Sequence, residues 1–152
     1  MIGNKFRAWN VESKQMLNHE FIVKTILSER DYGEIIRDFS DVLDGYPFHI
    51  MQSIGEFDRN NCELFDDDLV KLTLPDGEVR IFRIRIKTLD REVRNHPEFV
   101  GEYSKVRITA VVFEWRGFDL FPCIDDKGIS DVSKMEWVGT FWENPELLEV
   151  SE

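Results

Sequence analysis

At 152 residues the chain is sized for one domain, or one domain with a small satellite, and a chain of this length buries roughly 70% of its unfolded surface. Its 42% hydrophobic residues, with 12 Phe and 4 Trp, can fill a core; no run approaches the ~20 apolar residues of a membrane helix, and the opening Met1-Ile2-Gly3-Asn4-Lys5-Phe6-Arg7 lacks a secretory leader, so a soluble, intracellular protein with no membrane partner is expected. The formal charge of −11, from 19 Lys and Arg against 30 Asp and Glu, repels nucleic acid at long range, keeps the chain soluble and suits protein partners with basic surfaces.

In chain order, Phe6-Arg7-Ala8-Trp9 has the aromatic spacing of a strand, Asn10 to Ser13 the composition of a turn, and Lys14 to Leu17 that of a returning strand. This predicts an N-terminal hairpin, which Phe21, Val23 and Ile26 extend as β structure through His19–Leu27. Asp31 and Glu34 then form a capping box, and Ile35, Ile36, Phe39, Val42 and Leu43 share one helical face up to the stop at Gly45. A helix over 32–44 follows.

Strands are expected at Phe48–Ile54 and Leu69–Leu74, separated by a polar turn over Glu56–Asn61. Pro75-Asp76-Gly77 is a turn, since Pro presets φ and Gly accepts φ > 0. The returning strand Glu78–Leu89 is apolar at odd positions first (Val79, Ile81) and at even ones afterwards (Phe82, Ile84, Ile86). Because strand side chains alternate, that switch predicts a β-bulge at Ile81-Phe82. Asp90–Gly101 reads as an exposed excursion, Tyr103–Trp115 as a long strand, Arg116-Gly117 as a turn into Phe118–Phe121, Ile124–Lys134 as loop and Glu136–Glu143 as the last strand. Asn144 caps a short final helix, with Pro145 at its first position and Glu146 at the positive end of its dipole. Many short, closely spaced strands with one central and one terminal helix suggest a small curled barrel with an N-terminal extension.

Three blocks carry a resemblance. Lys5-Phe6-Arg7-Ala8-Trp9-Asn10 with Lys14-Gln15-Met16 is one. Met51-Gln52-Ser53-Ile54-Gly55-Glu56-Phe57-Asp58-Arg59-Asn60, running on through Phe65-Asp66-Asp67-Asp68-Leu69-Val70, is the second. Trp137-Val138-Gly139-Thr140-Phe141-Trp142-Glu143-Asn144-Pro145-Glu146-Leu147-Leu148 is the third. Together they resemble the opening, middle and closing motifs of the YopX proteins of bacteriophages and prophages, and Val112-Phe113-Glu114 with Gly117-Phe118 is similar to a further stretch between them. The chain departs from that pattern at Cys62 and Asp67, where turn glycines are usual, and in the added loop 90–101. The resemblance implies a phage-encoded cytoplasmic protein with an SH3-like barrel in its C-terminal part and the N-terminal segment packed beside it. It implies no reaction and brings no catalytic residue.

Candidate sites are sparse. Asp66-Asp67-Asp68, with Asp125-Asp126 elsewhere, could hold a magnesium ion, but adjacent strand residues point to opposite faces, and a solvated strand entry that discourages edge pairing is the plainer expectation. His19, His49 and His96 lie in separate segments without metal or triad spacing. Cys62 and Cys123 are far apart and read as free thiols. Arg83, Arg85 and Lys87 share one strand face and could contact nucleic acid or an acidic partner, against the plainer reading of cross-strand ion pairs. Of the four tryptophans, Trp115 beside the Arg116-Gly117 turn is the one expected at the surface. The expectation is thus a mainly β protein with minor α, residues 1–54 forming a hairpin-and-helix subdomain and 55–152 an SH3-like barrel with a short C-terminal helix. No catalytic, metal or cofactor residue is assigned. The function expected is a non-enzymatic accessory or interaction protein with a protein partner of phage or host, or a second copy of itself; a nucleic-acid factor using the basic face is the alternative.

Overall fold

The computed structural model describes residues 2–28 and 48–150, in which eleven elements alternate with one 3₁₀ turn. The chain runs β1 (Phe6–Asn10), β2 (Gln15–Leu17), α1 (His19–Ser28), β3 (Phe48–Phe57), β4 (Glu63–Phe65), β5 (Asp68–Thr73), β6 (Val79–Arg94), β7 (Tyr103–Trp115), β8 (Phe118–Leu120), the 3₁₀ turn Asp131–Lys134, β9 (Glu136–Thr140) and α2 (Glu146–Val150). The expected helix over 32–44 lies outside the described residues.

The fold is mainly β, in two sheets. The first has the order β2-β1-β3-β4 and the second, β8-β7-β6-β5-β9. The N-terminal hairpin forms as read, with Trp9 opposite Met16. The segment after it does not. Asn18 accepts from the backbone N–H of Phe21 at 2.8 Å, an N-cap that satisfies an otherwise orphaned donor, so His19 onward starts α1 rather than a third strand. Sequence reading also missed β4, because Glu63-Leu64-Phe65 is too short to show a period. The expected boundary between residues 54 and 55 falls inside β3, and β4 belongs to the first sheet.

The predicted bulge at Ile81-Phe82 is absent. Val70 faces Phe82 and Lys71 faces Ile81 in an uninterrupted ladder. Phe82 and Ile84 point into the core throughout, while Ile81 lies on the opposite face, where it lines a shallow pocket with Leu148 of α2. Cover from the C-terminal helix, not an extra residue, explains the apolar odd position. The extra residues sit elsewhere: Val138 is unmatched where Leu69 faces Gly139 and Val70 faces Trp137, and the β3–β4 register shifts between Ser53 and Phe57.

The core joins the two sheets. Ile54 of β3 and Leu64 of β4 pack with Val70, Phe82, Ile84 and Phe113 of the second sheet, and Val132 and Met135 close one side. Phe82 and Phe113 meet edge-to-face at 6.3 Å. Asp58 pins the closing segment. Its carboxylate accepts from Asn60 and Cys62 within its own turn and from the Trp137 backbone of β9 at 2.8 Å. Burial works to raise its pKa, but these backbone donors together hold it below the ordinary carboxylate value.

Phe113→Ala, which removes a side chain 1% exposed, is expected to cost about 3–5 kcal/mol in denaturant unfolding. Val100→Ala, at a fully exposed position, stays within about 0.5 kcal/mol.

Candidate functional site

Asp66 and Asp67 form the turn between β4 and β5, and Asp68 opens β5. Contrary to the expected solvated strand entry, Asp67 is 5% and Asp68 0% exposed. Each carboxylate meets different donors. Asp68 lies 2.7 Å from Nη2 of Arg7 on β1, accepts from the indole Nε1 of Trp137 at 2.9 Å and takes the Phe65 backbone N–H at 2.7 Å. Asp67 accepts from both Nε and Nη2 of Arg83 at 2.9 and 2.7 Å and, on its other oxygen, from Nε1 of Trp142 at 3.0 Å. Asp66 accepts from the Ile86 backbone at 3.1 Å and from Arg85 at 3.3 Å. Burial pushes the Asp68 carboxyl up, and Arg7, the Phe65 N–H and the Trp137 indole pull it back. Burial is the larger influence, and the group stays above the ordinary carboxylate value. Asp66 is likewise raised, by burial and then by the adjacent Asp67.

Asp67 has φ of 67°, the left-handed region where the resembled family has glycine. A side chain is retained there at a backbone cost because it holds Arg83 and Trp142. The other departure, Cys62, needs no glycine, since the left-handed residue of that turn is Asn61 at φ 63°, and Asn tolerates it. The closing Phe141-Trp142-Glu143-Asn144 segment docks on the same turn. The Phe141 N–H reaches the Asp67 carbonyl at 2.8 Å, Arg83 covers the Phe141 ring at 3.5 Å and His49 stacks on Trp142 at 4.2 Å. Asn144 does not cap α2 with its side chain, which turns back to the Thr140 N–H at 3.3 Å.

The basic stripe is engaged throughout. Arg83 and Arg85 lie on Asp67 and Asp66, and Lys87 on Glu114 and on Asp119 at 3.0 Å. Trp115 is half-buried against the core, between Arg80 at 4.5 Å and Arg116 at 4.9 Å, and its Nε1 is buried without a hydrogen-bond partner. Arg83, Glu114, Trp115 and Arg116 also line the pocket of about 190 Å³ that Ile81 and Leu148 share. His19 accepts from the Phe6 N–H at 3.3 Å and His96 from the Glu98 N–H at 3.3 Å, so with His49 on Trp142 the three histidines serve separate local contacts. Asp125 organises its own loop through the Lys127 and Ile129 N–H groups, both at 2.9 Å. Cys62 and Cys123 are free and exposed. Among the described residues no three His, Cys, Asp or Glu side chains converge as a metal cage.

A surface whose outer part, from Asp90, sequence reading had taken for a loop stands out instead. β5 accompanies β6 only as far as Arg83, and β8 accompanies β7 only from Phe113 onward. From Arg85 opposite Val112 to Arg94 opposite Tyr103, β6 and β7 continue as a two-stranded ribbon, roughly 30 Å long at the usual rise per residue. The expected excursion from Asp90 is therefore strand up to Arg94, and only 95–102 is the tip. One face is polar and internally satisfied: Thr88 bonds Thr109 at 3.0 Å, Asp90 takes Arg107 at 2.8 and 3.2 Å, and Glu92 faces Lys105. The other continues the face of Arg85 and Lys87 with Leu89, Val93, Val106 and Ile108 around Arg91, whose guanidinium lies 5.3 Å from the Phe121 ring centre. Val93, Phe99, Val100 and Tyr103 are exposed toward the tip. The signal for this arm was the alternation continuing through Leu89, Arg91 and Val93, opposite Val106 and Ile108, beneath a high local charge.

Among the described residues no helix is long and apolar enough to cross a membrane. The profile of the family described as "YopX protein" matches residues 5–149. Among solved structures, the crystal structure of protein EF1440 from Enterococcus faecalis is similar at 20% identity, covering 95% of this chain and 96% of that one with a TM-score of 0.47. No curated protein matches the chain.

Arg7→Met leaves Asp68 buried without its cation and is expected to cost about 3–5 kcal/mol at pH 7. Without Arg7 the folded Asp68 pKa rises further above the unfolded value, so the folded state takes up a proton more readily than the unfolded one. The deficit then shrinks as pH falls through the raised folded value toward the unfolded one; denaturant melts of both proteins at pH 7 and pH 5 check this. Asp67→Ala and Asp67→Gly both remove the carboxylate, but only Ala keeps a Cβ at positive φ, so Gly is expected to be the less destabilised by about 1 kcal/mol.

Proposed function

The chain belongs to the YopX family, and we propose that it acts as a non-enzymatic interaction module, encoded by phage or prophage and working in the bacterial cytoplasm, whose body is an SH3-like barrel and whose docking element is the β6–β7 ribbon. The observation that carries the reading is the ribbon itself. It extends ten residue pairs beyond its last flanking strands and carries Leu89, Val93, Val106 and Ile108 together on one face. A lone two-stranded hairpin is marginal in water, and unpaired strand edges and apolar faces are the features that strand addition and face-on docking use.

The strand order β8-β7-β6-β5-β9, with the short 3₁₀ turn before the last strand, supports the barrel reading of the body. The titratable groups near the centre support a scaffold rather than a reaction: Asp66, Asp67 and Asp68 are each bonded to structural donors. The nucleic-acid alternative draws on Arg83, Arg85 and Lys87, whose charges already face carboxylates, inside a chain of net charge −11.

Shortening the ribbon tests the reading. Joining Leu89 to Ile108 through Asn-Gly, a two-residue hairpin turn, removes the outer ribbon and leaves the core residues in place. The shortened protein is expected to keep its far-UV spectrum and cooperative unfolding and to lose a polypeptide that the intact chain retains in stoichiometric amount on affinity purification. Equal retention by both proteins would overturn the assignment.

A further inference from the structure

We infer that His49 and Trp142 form a pH-sensitive latch on the closing segment, which is held more tightly when the imidazole ring is protonated. The latch is separate from the ribbon and does not depend on the ribbon being a docking element.

Trp142 is the point at which the closing segment fastens. Its indole Nε1 donates to the Asp67 carboxylate at 3.0 Å, and the neighbouring Phe141 N–H reaches the Asp67 carbonyl at 2.8 Å. His49 of β3 lies on the face of the same indole, with ring centres 4.2 Å apart and planes inclined by 29°. That separation is inside the ~6 Å over which an aromatic face attracts a cation. A neutral imidazole stacks there through dispersion; an imidazolium is also drawn to the negative π-face. The indole N–H is bonded to a carboxylate, which polarises the ring in the sense that favours a cation on its face. Protonated His49, the Trp142 ring and Asp67 then stand in series as cation, π-system and anion.

The surroundings favour the charged ring as well. Among the described residues, the cations of this region are each matched by a carboxylate: Arg7 by Asp68, Arg83 by Asp67 and Arg85 by Asp66. Glu143, next to Trp142, accepts from the Thr140 hydroxyl at 3.3 Å and adds a negative charge. Across the strand pair His49 faces the uncharged Trp9, beyond which the hairpin turn carries one charge of each sign, Glu12 and Lys14. The other two histidines sit elsewhere, His19 on the Phe6 N–H and His96 against Phe99 at the ribbon tip. Histidine changes charge between pH 5 and 8, about an ordinary value of 6.5. The cationic part of the hold is therefore present below that range and is lost as pH rises through it.

Hydrogen exchange at the Phe141 amide, corrected for the intrinsic rate at each pH, reads the hold, because local release of the segment and global unfolding both break the stack. His49→Phe keeps a stacked ring without the charge. Comparing the intact chain with this variant cancels the titration of Asp66 and Asp68, whose carboxyls burial pushes up in both proteins. The ratio of protection, intact chain over His49→Phe, is expected to be about two- to fivefold larger at pH 5 than at pH 8. His49→Arg places a permanent cation on the same face, and its ratio to His49→Phe is expected to be alike at the two pH values. A ratio for the intact chain that does not change with pH, or one that changes equally in His49→Arg, would overturn the inference.

Discussion

Three consecutive carboxylates lie where β4 turns into β5, and each is anchored to a different part of the molecule. Asp68 reaches Arg7 on the first strand and Trp137 on the last; Asp67 reaches Arg83 on β6 and Trp142 in the closing segment; Asp66 reaches the backbone of Ile86. Burying three like charges side by side is unfavourable by itself, so the turn exists in this form only when all of its partners arrive. Residues far apart in the chain are thereby tied to one point, and the two sheets, the C-terminal segment and the root of the ribbon share a common fastening.

That fastening accounts for where the outer faces are covered. Arg83 is held over Phe141 by its two hydrogen bonds to one oxygen of Asp67, and the closing segment that carries Phe141 leads on to Leu148 near Ile81. It also places the ribbon. Arg85 and Ile86 are the last positions of β6 that the aspartate turn engages, and beyond them β6 pairs as a strand only with β7, while Lys87 and Arg91 reach Asp119 and Phe121 through their side chains.

The family resemblance and the residues it touches acquire physical meaning from this. The opening Arg7, the middle Asp66-Asp67-Asp68 and the closing Trp137 and Trp142 are distant in sequence and meet at one network, so the three familiar blocks are three strands of a single fastening. The glycine-to-aspartate departure at position 67 accepts a left-handed backbone in exchange for two further anchors. Residues 90–94 continue β6 along the ribbon, beyond the positions that the network engages.

From sequence alone, alternation and turn chemistry determined most of the strands: the hairpin about Asn10, the turn at Pro75-Gly77, the long strand Tyr103–Trp115 and its reversal at Arg116-Gly117 all follow from local rules that need no partner. The even-numbered core of β6 was legible for the same reason. The odd-numbered Ile81 was misread as a bulge, because a local pattern cannot say that another part of the chain will cover the second face. The stretch after Asn18 was misread as strand, because a three-residue cap outweighed the β-branched composition. Three adjacent aspartates looked solvated, because only the folded chain brings Arg7, Arg83 and two indoles to them. The outer ribbon from Asp90 looked like a loop, because its charges mask an alternation whose consequence depends on where the neighbouring strands stop. Short-range geometry is written residue by residue. Burial, ion pairing and exposure depend on which distant segments arrive at the same place, and that was decided only by the tertiary structure.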